Sequence, residues 1–148
     1  MNIVERAKYL AHRAHAGQVD KAGRPYIEHV ARVAAAVSDD PEAEAVAWLH
    51  DVIEDAAGDE QNRLGHYIED NFPGEVMDAV ADLTRVGNPS DGFYYWNIRQ
   101  NPLALRVKLA DIADNSDEAR LALLEPKTAA RLRRKYADAR KALGVGYG

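Results

Sequence analysis

Cysteine is absent from this 148-residue sequence. Disulfides, thiolate metal sites and cysteine nucleophiles are therefore excluded, and a metal ion could be held only by histidine, carboxylate or water ligands. Long apolar runs are missing as well, because no segment approaches the roughly 20 consecutive apolar residues of a membrane span. We expect a chain without a transmembrane helix, in which any metal site uses nitrogen and oxygen ligands.

The N-terminal segment lacks the unbroken apolar core of a signal peptide. Residues 1–16 include the charged side chains of Glu5, Arg6, Lys8 and Arg13, which interrupt the apolar stretches there. We therefore expect the protein to be cytoplasmic.

A surplus of basic residues is also lacking, since the net charge is -5 at pH 7. Proteins that neutralise nucleic-acid phosphates usually carry such a surplus, so neither a nucleic acid nor a membrane is expected as a partner. The basic run at 131–135 is most simply a solvent-exposed helix face, with a weak nucleic-acid contact as the alternative. The sequence leaves open whether the chain forms a homo-oligomer.

Apolar residues recur at three- and four-residue intervals along most of the chain, while the strict alternation of strands is missing. This pattern predicts an all-α fold, a compact single-domain helical bundle over residues 1–148. The predicted helices cover about 2–16, 25–37, 41–55, 62–71, 76–83, 93–100, 102–113 and 126–143. Loops are predicted at 17–24, 56–60 and 87–92, and the glycine-rich tail at 144–148 is expected to fray.

The segment predicted to be most central covers residues 45–55. Apolar side chains occupy nearly every side of this helix, so it should be buried. His50, Asp51, Glu54 and Asp55 would then lie in or beside the core, where an unpaired carboxylate is costly. A bound metal ion would supply the counter-charge, and Glu54 and Asp55, one helical turn from Asp51, could reach a water on that metal.

Two further polar residues lie in apolar helical runs. His29 precedes His50 by 21 residues, and Asp111 follows Asp51 by 60 residues. Two imidazoles and two carboxylates suit a first-row divalent metal ion that keeps some positions open for water. These four residues are the candidate metal ligands.

The four residues resemble the H…HD…D signature of the HD-domain metal-dependent phosphohydrolases. Longer blocks are similar to the hydrolase domain of RelA/SpoT-type stringent-response proteins and to small stand-alone alarmone hydrolases. These blocks span about residues 11–115 and are Gly17-Gln18, Pro25-Tyr26-Ile27-Glu28-His29-Val30, Leu49-His50-Asp51-Val52-Ile53-Glu54-Asp55, and Val107-Lys108-Leu109-Ala110-Asp111 with Asn115.

The resemblance implies an all-helical bundle that removes pyrophosphate from the 3′ position of guanosine tetra- or pentaphosphate, (p)ppGpp, typically with manganese. By motif position, it implies that the metal ligands are His29, His50, Asp51 and Asp111. Glu54 and Asp55 would be the acid/base pair that orients or deprotonates the attacking water, and Asn115 would help to hold the substrate.

Phosphate groups on such a substrate need cationic side chains. Lys21, Arg24 and Lys108 are the nearest candidates in the sequence. Lys108 precedes Asp111 by one helical turn, so it could equally serve as the partner of that buried carboxylate. Alarmone hydrolases usually carry a basic Arg-Lys pair in the loop after Gly-Gln, whereas this chain has Val19-Asp20-Lys21, and an aspartate there would repel a highly phosphorylated ligand.

Three functions therefore stay open. The first is hydrolysis of (p)ppGpp, and the second is an HD phosphohydrolase activity on a different nucleotide or phosphomonoester, which Asp20 favours. The third is a non-catalytic, metal-containing binding module. The loss of a ligand or of the Glu-Asp pair would have supported this function, and neither is lost. Because few residues follow Asn115, we expect no synthetase half, so an alarmone enzyme of this kind would degrade its substrate and not make it.

The remaining histidines and the aromatic cluster have simpler interpretations. His12, His15 and His66 are expected to be surface or packing residues, because no spacing links them to the metal set. The aromatic cluster at 93–96 is expected to belong to the core or to a lid over the site, and stacking on a nucleotide base is the less favoured alternative.

Overall fold

The computed structural model describes residues 1–85 and 90–145. In these ranges the chain forms nine α-helices and no strand, apart from an isolated antiparallel bridge between Val19 and Pro25. The helices are α1 Ile3–Ala14, α2 Tyr26–Ala36, α3 Pro41–Leu49, α4 Asp59–Asn71, α5 Gly74–Leu83, α6 Asp91–Gln100, α7 Pro102–Asn115, α8 Glu118–Leu121 and α9 Pro126–Ala142. The all-α fold expected from the sequence is confirmed, and none of these helices is long and apolar enough to cross a membrane.

Side-chain caps set the start of the two helices on which most candidate ligands depend. Asp40 accepts a hydrogen bond from the backbone N–H of Glu42 at 3.0 Å, and Pro41 opens α3, as the sequence predicts. Asn101 caps α7 in the same way, directly ahead of Pro102. Local sequence therefore fixes where both helices begin.

Helix α3 is the centre of the bundle. It contacts α1, α2, α5 and α7, and the side chains of Ala43 and of residues 45–49 are buried. Burial of a side chain such as Val46 or Leu49 contributes about 1.5–3 kcal/mol to folding. The prediction of a central, buried helix is confirmed for this part of the chain.

This central helix ends at Leu49, so the prediction of a helix through residue 55 is wrong. Residues 50–55 instead form successive turns. The side chain of His50 explains the break, because its Nδ1 lies 2.6 Å from the carbonyl oxygen of Ala47. In a continuing helix that oxygen would accept the N–H of Asp51, so the imidazole replaces the next backbone bond. Asp55 still lies one turn from Asp51, since its backbone N–H donates to the carbonyl oxygen of Asp51 at 3.3 Å.

Helix α8 is not predicted by the sequence pattern. Asp117 caps it by accepting a hydrogen bond from the backbone N–H of Arg120 at 3.2 Å. The predicted loop at 87–92 lies partly outside the described residues, and its last two residues begin α6. The predicted fraying of the tail also concerns residues outside the described part of the chain, apart from 144 and 145.

The loop between α1 and α2 folds back on itself around Asp20. Oδ1 of Asp20 accepts the backbone N–H groups of Ala22 and Arg24, both at 2.9 Å. Gly17 and Gly23 have φ values of +80° and +82°, a conformation that favours glycine. These hydrogen bonds and glycine conformations hold the loop in one shape, so they set the direction in which the chain enters α2.

Candidate active site

The structure brings the four candidate ligands together between α2, the end of α3 and α7. Ligand atoms of His29, His50 and Asp51 lie within 4.8 Å of one another. Oδ1 of Asp111 lies 2.9 Å from Nε2 of His29 and 3.4 Å from Nε2 of His50. Such a cluster of nitrogen and oxygen atoms is what a divalent metal site requires.

His50 is oriented by the bond that ends α3. Because a carbonyl oxygen can only accept, its 2.6 Å contact with Ala47 requires a proton on Nδ1, so Nε2 is the ring nitrogen that could bind a metal ion. Nε2 lies 3.1 Å from Oδ2 of Asp51 and 3.4 Å from Oδ1 of Asp111, yet among the described residues it has no hydrogen-bond partner. A buried, unpartnered nitrogen between two carboxylates fits a metal ion at this point.

His29 is held by Asp114, a residue that sequence reasoning missed. Nδ1 of His29 lies 2.6 Å from Oδ2 of Asp114, which leaves Nε2 directed at Asp111. A carboxylate in this position fixes the tautomer and the orientation of a ligating imidazole. Asp114 follows Asp111 by three residues, on the same face of α7, and this spacing is the signal that could have revealed it.

Two of the candidate ligands, Asp51 and Asp111, place carboxylate charge in a largely buried site. Burial alone would raise the pKa of Asp51, but the adjacent His50 lowers it to about 2. Burial likewise acts to raise the pKa of Asp111, but Lys108, His29 and His50 hold it well below its usual value. Both carboxylates are therefore ionised at neutral pH, and a divalent cation would neutralise them.

Asp51 is fixed on another side by Tyr26, whose hydroxyl donates a hydrogen bond to Oδ2 of Asp51. Burial, reinforced by the charge of Asp51, raises the pKa of Tyr26, so the phenol keeps its proton at neutral pH. Tyr26 and His29 lie three residues apart on α2. One turn of this helix therefore supplies a ligand and the support for a second ligand.

Glu54 lines a cavity beside the candidate ligands. This cavity has a volume of about 570 Å³ and is also lined by His50, Asp51 and Asp111. Burial, followed by the charge of Asp51, raises the pKa of Glu54. A carboxylate with a raised pKa in a cavity is suited to exchanging a proton with a water molecule beside it.

Asp55 does not line this cavity. Its Oδ2 accepts a hydrogen bond from Nε2 of Gln18 at 3.3 Å and lies 3.7 Å from Nδ1 of His15. His15 is itself buried and donates from Nδ1 to Oε1 of Gln18 at 2.6 Å. The Gly-Gln block thus anchors Asp55 to the end of α1, and the catalytic role of Asp55 stays a prediction.

Three cationic side chains line the cavity beside the candidate ligands: Arg85, Lys108 and Lys135. Nζ of Lys108 donates to Oδ2 of Asp111 at 3.1 Å, so Lys108 is the partner of that carboxylate as well as part of the cavity wall. Sequence reasoning missed Arg85 and Lys135, and Lys135 belongs to the basic run interpreted as a solvated face. Positive charge of this kind suits a ligand with several phosphate groups.

The aromatic cluster is divided between the cavity and the surface. Tyr94 is buried, and Tyr94 and Tyr95 both line the cavity beside the ligands. Phe93 and Trp96 are exposed on α6. The expectation of a core position therefore holds for part of the cluster.

A second cavity, of about 590 Å³, adjoins the first, because Tyr26, Asn115 and Tyr136 line both. Lys21 and Arg24 line the second cavity and not the first. The residues predicted to bind substrate are thus divided between two neighbouring cavities.

Asn115 and Arg24 also make contacts within the protein. Nδ2 of Asn115 donates to Oδ1 of Asp111 at 3.1 Å, so its amide is tied to a candidate ligand. Arg24 pairs with Glu28 at 2.9 Å, and both side chains are exposed. An exposed ion pair of this kind contributes little stability, so Arg24 can leave Glu28 to bind a phosphate.

Asp20 does not present an unpaired negative charge to the second cavity. Its Oδ2 accepts a hydrogen bond from Nη2 of Arg120 at 3.0 Å, while Oδ1 is used by the loop backbone. Burial acts to raise the pKa of Asp20, but these bonds lower it below its usual value. The expected repulsion of phosphate is therefore offset by a guanidinium that sequence reasoning missed, because the two residues are 100 positions apart.

Adding Mn²⁺ to the metal-free protein is expected to raise its melting temperature. At a concentration about 1,000-fold above Kd, a metal that binds only the folded state stabilises it by about 4 kcal/mol, or roughly 8–16 °C for a domain of this size. Differential scanning fluorimetry with and without a chelator measures the shift. Asp51→Ala is the control, and an equal shift in that variant would contradict the site.

The HD domain family matches residues 7–136 of this chain. A probable GTP pyrophosphokinase of Mycobacterium leprae is 32% identical over 144 residues, and a guanosine-3′,5′-bis(diphosphate) 3′-pyrophosphohydrolase of Vibrio cholerae is 32% identical over 149 residues. These alignments cover 91% and 92% of this chain but 18% and 21% of the relatives. The chain thus spans about a fifth of the length of these curated relatives.

A solved structure shares this fold. It is that of a metazoan ortholog of SpoT, a protein that hydrolyses ppGpp and plays a role in starvation responses. The two structures superpose with a TM-score of 0.73 at 23% sequence identity, over 97% of this chain and 84% of the other. At this identity the likeness shows the helical architecture alone.

Proposed function

Because this chain belongs to the HD domain family, we propose that it is a metal-dependent phosphohydrolase that removes pyrophosphate from the 3′ position of (p)ppGpp. The observation that carries this proposal is the convergence of His29, His50, Asp51 and Asp111 beside a cavity that Glu54 lines. The name of the V. cholerae relative supports the choice of reaction and substrate. The cytoplasmic location expected from the sequence stays a prediction.

His29, His50, Asp51 and Asp111 would hold the metal ion, which we propose is Mn²⁺. Two imidazole nitrogens and two carboxylate oxygens suit a first-row divalent ion. When bound, the ion supplies a Lewis acid that acidifies water and withdraws charge from a phosphate. The protein's own part is orientation, since the Ala47 carbonyl and the carboxylate of Asp114 fix the two imidazoles.

Glu54 would accept the proton of the water that attacks the phosphorus atom. Its position in the cavity and its raised pKa support this role. The same carboxylic acid could then return the proton to the 3′ oxygen as the bond to phosphorus breaks. Asp55 would complete the pair only if its side chain left Gln18 and turned toward the cavity.

The phosphate groups would be bound by cations on the walls of both cavities. Lys108 and Lys135 line the cavity beside the ligands, and Lys21 and Arg24 line the adjoining one, while Asn115 lines both. A nucleotide that carries phosphates on two positions of its ribose needs two such regions of positive charge. The arrangement therefore favours (p)ppGpp over a nucleoside monophosphate.

Hydrolysis of a different nucleotide or phosphomonoester is the second candidate. The observation that favours it is the loop sequence, because Asp20 pairs with Arg120 and leaves one lysine where alarmone hydrolases usually have a basic pair. A non-catalytic binding module is less well supported, since Glu54 lines the cavity next to the ligands.

Purified protein is expected to release pyrophosphate from ppGpp and pppGpp when Mn²⁺ is added. Chromatography follows the pyrophosphate and the remaining nucleotide, beside a panel of ordinary nucleotides and phosphomonoesters. Wild-type protein with excess chelator and Asp51→Ala should both lose the activity, because each removes the metal or its site.

The panel separates the alternatives. Cleavage of another compound without turnover of ppGpp would replace the proposed substrate by that compound. Binding of a nucleotide with no turnover at all would favour the binding module. Pyrophosphate release that survives in Asp51→Ala would contradict the metal site.

A further inference from the structure

We propose that Arg120 is a positioning residue that couples the loop at 17–25 to the metal ligand His29. The coupling runs through two carboxylates, Asp20 in the loop and Asp114 on α7. The inference rests on the proposed function, because His29 matters here as a ligand. It adds a residue near the end of α8, a helix that none of the motif blocks covers.

Arg120 bridges the two carboxylates with the two ends of its guanidinium. Nη2 donates to Oδ2 of Asp20 at 3.0 Å, and Nη1 donates to Oδ2 of Asp114 at 2.8 Å. Nη1 also lies 3.1 Å from the carbonyl oxygen of Asp114 and 3.4 Å from Oδ1 of Asn115. The side chains of Asp20 and Asp114 are 11% and 13% exposed, so both pairs are largely shielded from water.

At the metal end, the contact of Arg120 falls on the atom that orients the ligand. Oδ2 of Asp114 is also the atom that lies 2.6 Å from Nδ1 of His29. The other oxygen of Asp114 accepts a bond from Nε of Arg32 at 2.7 Å, so the carboxylate is held from two sides. Rotation of this carboxylate would turn the imidazole, and a misoriented ligand binds its metal more weakly.

At the loop end, one carboxylate has two tasks. Oδ1 of Asp20 accepts the N–H groups of Ala22 and Arg24 and so folds the loop, while Oδ2 anchors the loop to Arg120. Lys21 lies beside Asp20 and lines the second cavity. The position of this substrate-facing loop therefore depends on Arg120.

Arginine suits this position for a geometric reason. A planar guanidinium offers separate N–H groups in a fixed arrangement, so it can hold two carboxylates at once, whereas a lysine ammonium is a single point charge. Removal of Arg120 would leave both Asp20 and Asp114 without this counter-charge, although both are largely buried.

The test measures Mn²⁺ affinity by isothermal titration calorimetry on the full chain without substrate. Arg120→Ala is expected to weaken Mn²⁺ binding about 10–100-fold, the usual cost of losing support behind a ligand. Arg120→Lys should fall between this variant and wild type. Arg133→Ala is the matched control, because it removes an exposed pair with Glu118 at 2.7 Å and should leave the affinity unchanged.

A double-mutant cycle separates coupling from local support. Asp20→Asn alone should weaken Mn²⁺ binding, although Asp20 does not touch the ligand. Combined with Arg120→Ala, it should cause no further loss, because Asp20 acts through Arg120. No substrate is present in these titrations, so a direct contact of Arg120 with phosphate cannot explain a change.

Wild-type Mn²⁺ affinity in Arg120→Ala, with a wild-type circular dichroism spectrum, would overturn the inference. Wild-type affinity in Asp20→Asn would also overturn it. If Arg120→Ala does not fold, the Mn²⁺ affinities of the two single variants Asp20→Asn and Arg120→Lys test the inference instead. A wild-type protein that binds Mn²⁺ without cleaving ppGpp would refute the proposed function alone, and the affinities would still test Arg120.

Discussion

Replacing Glu54 with glutamine is expected to lower kcat for ppGpp hydrolysis about 10²–10⁴-fold and to leave Mn²⁺ binding close to wild type. Glutamine keeps the shape of the side chain but cannot take a proton from water. Glu54 lines the cavity beside the ligands and is not one of them, so the metal site should survive. Steady-state kinetics and calorimetric titration with Mn²⁺ measure the two effects on the same preparation.

Glu60→Gln is the control for this variant. Glu60 is an exposed residue of α4 that pairs with Arg63 at 3.1 Å, so its replacement should change neither quantity. A loss of kcat below about tenfold in Glu54→Gln would move the role of base to another group. A larger loss in Asp55→Asn would identify that group and would show that Asp55 leaves Gln18 in the working enzyme.

Replacing Lys108 with methionine is expected to destabilise the metal-free protein by about 3 kcal/mol and to lower its melting temperature by roughly 6–12 °C. The side chains of Lys108 and Asp111 are 17% and 8% exposed and are joined at 3.1 Å. Methionine keeps most of the apolar stem but leaves the buried carboxylate without this counter-charge. Urea unfolding at neutral pH in the presence of a chelator measures the free energy.

Lys127→Met provides the matched comparison, because Lys127 is exposed at the start of α9. Its free energy of unfolding should stay within about 0.5 kcal/mol of wild type. Saturating Mn²⁺ should restore part of the loss in Lys108→Met, since a cation at the ligands gives Asp111 another partner. Equal losses of unfolding free energy in the two variants would show that the pair between Lys108 and Asp111 does not stabilise the fold.

The helical class and the candidate ligands could be predicted because the ligands are polar residues in apolar runs. His29, His50 and Asp111 are buried in the structure, as the periodicity of their surroundings indicates. Periodicity does not say which runs meet in space, however. That step depended on the resemblance to known hydrolases, and the distances between the ligand atoms now support it.

The end of α3 could not be predicted, because it depends on one bond between a side chain and the backbone. Nothing in the apolar pattern changes at His50, yet its Nδ1 donates a hydrogen bond to the carbonyl oxygen of Ala47. In the turns that follow, Glu54 lines the cavity and Asp55 binds Gln18 instead. A pattern of residue types carries no information about such a competition.

Charged partners that are distant in sequence stay hidden for a different reason. Lys135 looks like any charge on a solvated helix, and its place in a cavity wall follows from how α9 packs against α6 and α7. Asp20 and Arg120 are 100 positions apart, and their pairing has no periodic signature. Asp114, by contrast, lies one turn from a candidate ligand, so helical spacing alone could have predicted that it supports the site.

The order of the ligands along the chain also governs when the site can exist during synthesis. His29 and Asp111 are 82 residues apart, and contacts across such a separation form late because closing long loops costs entropy. A nascent chain that has left the ribosome only as far as α6 holds His29, His50 and Asp51 but lacks Asp111 and Asp114. The complete set of candidate ligands can therefore come together only after α7 has emerged and docked.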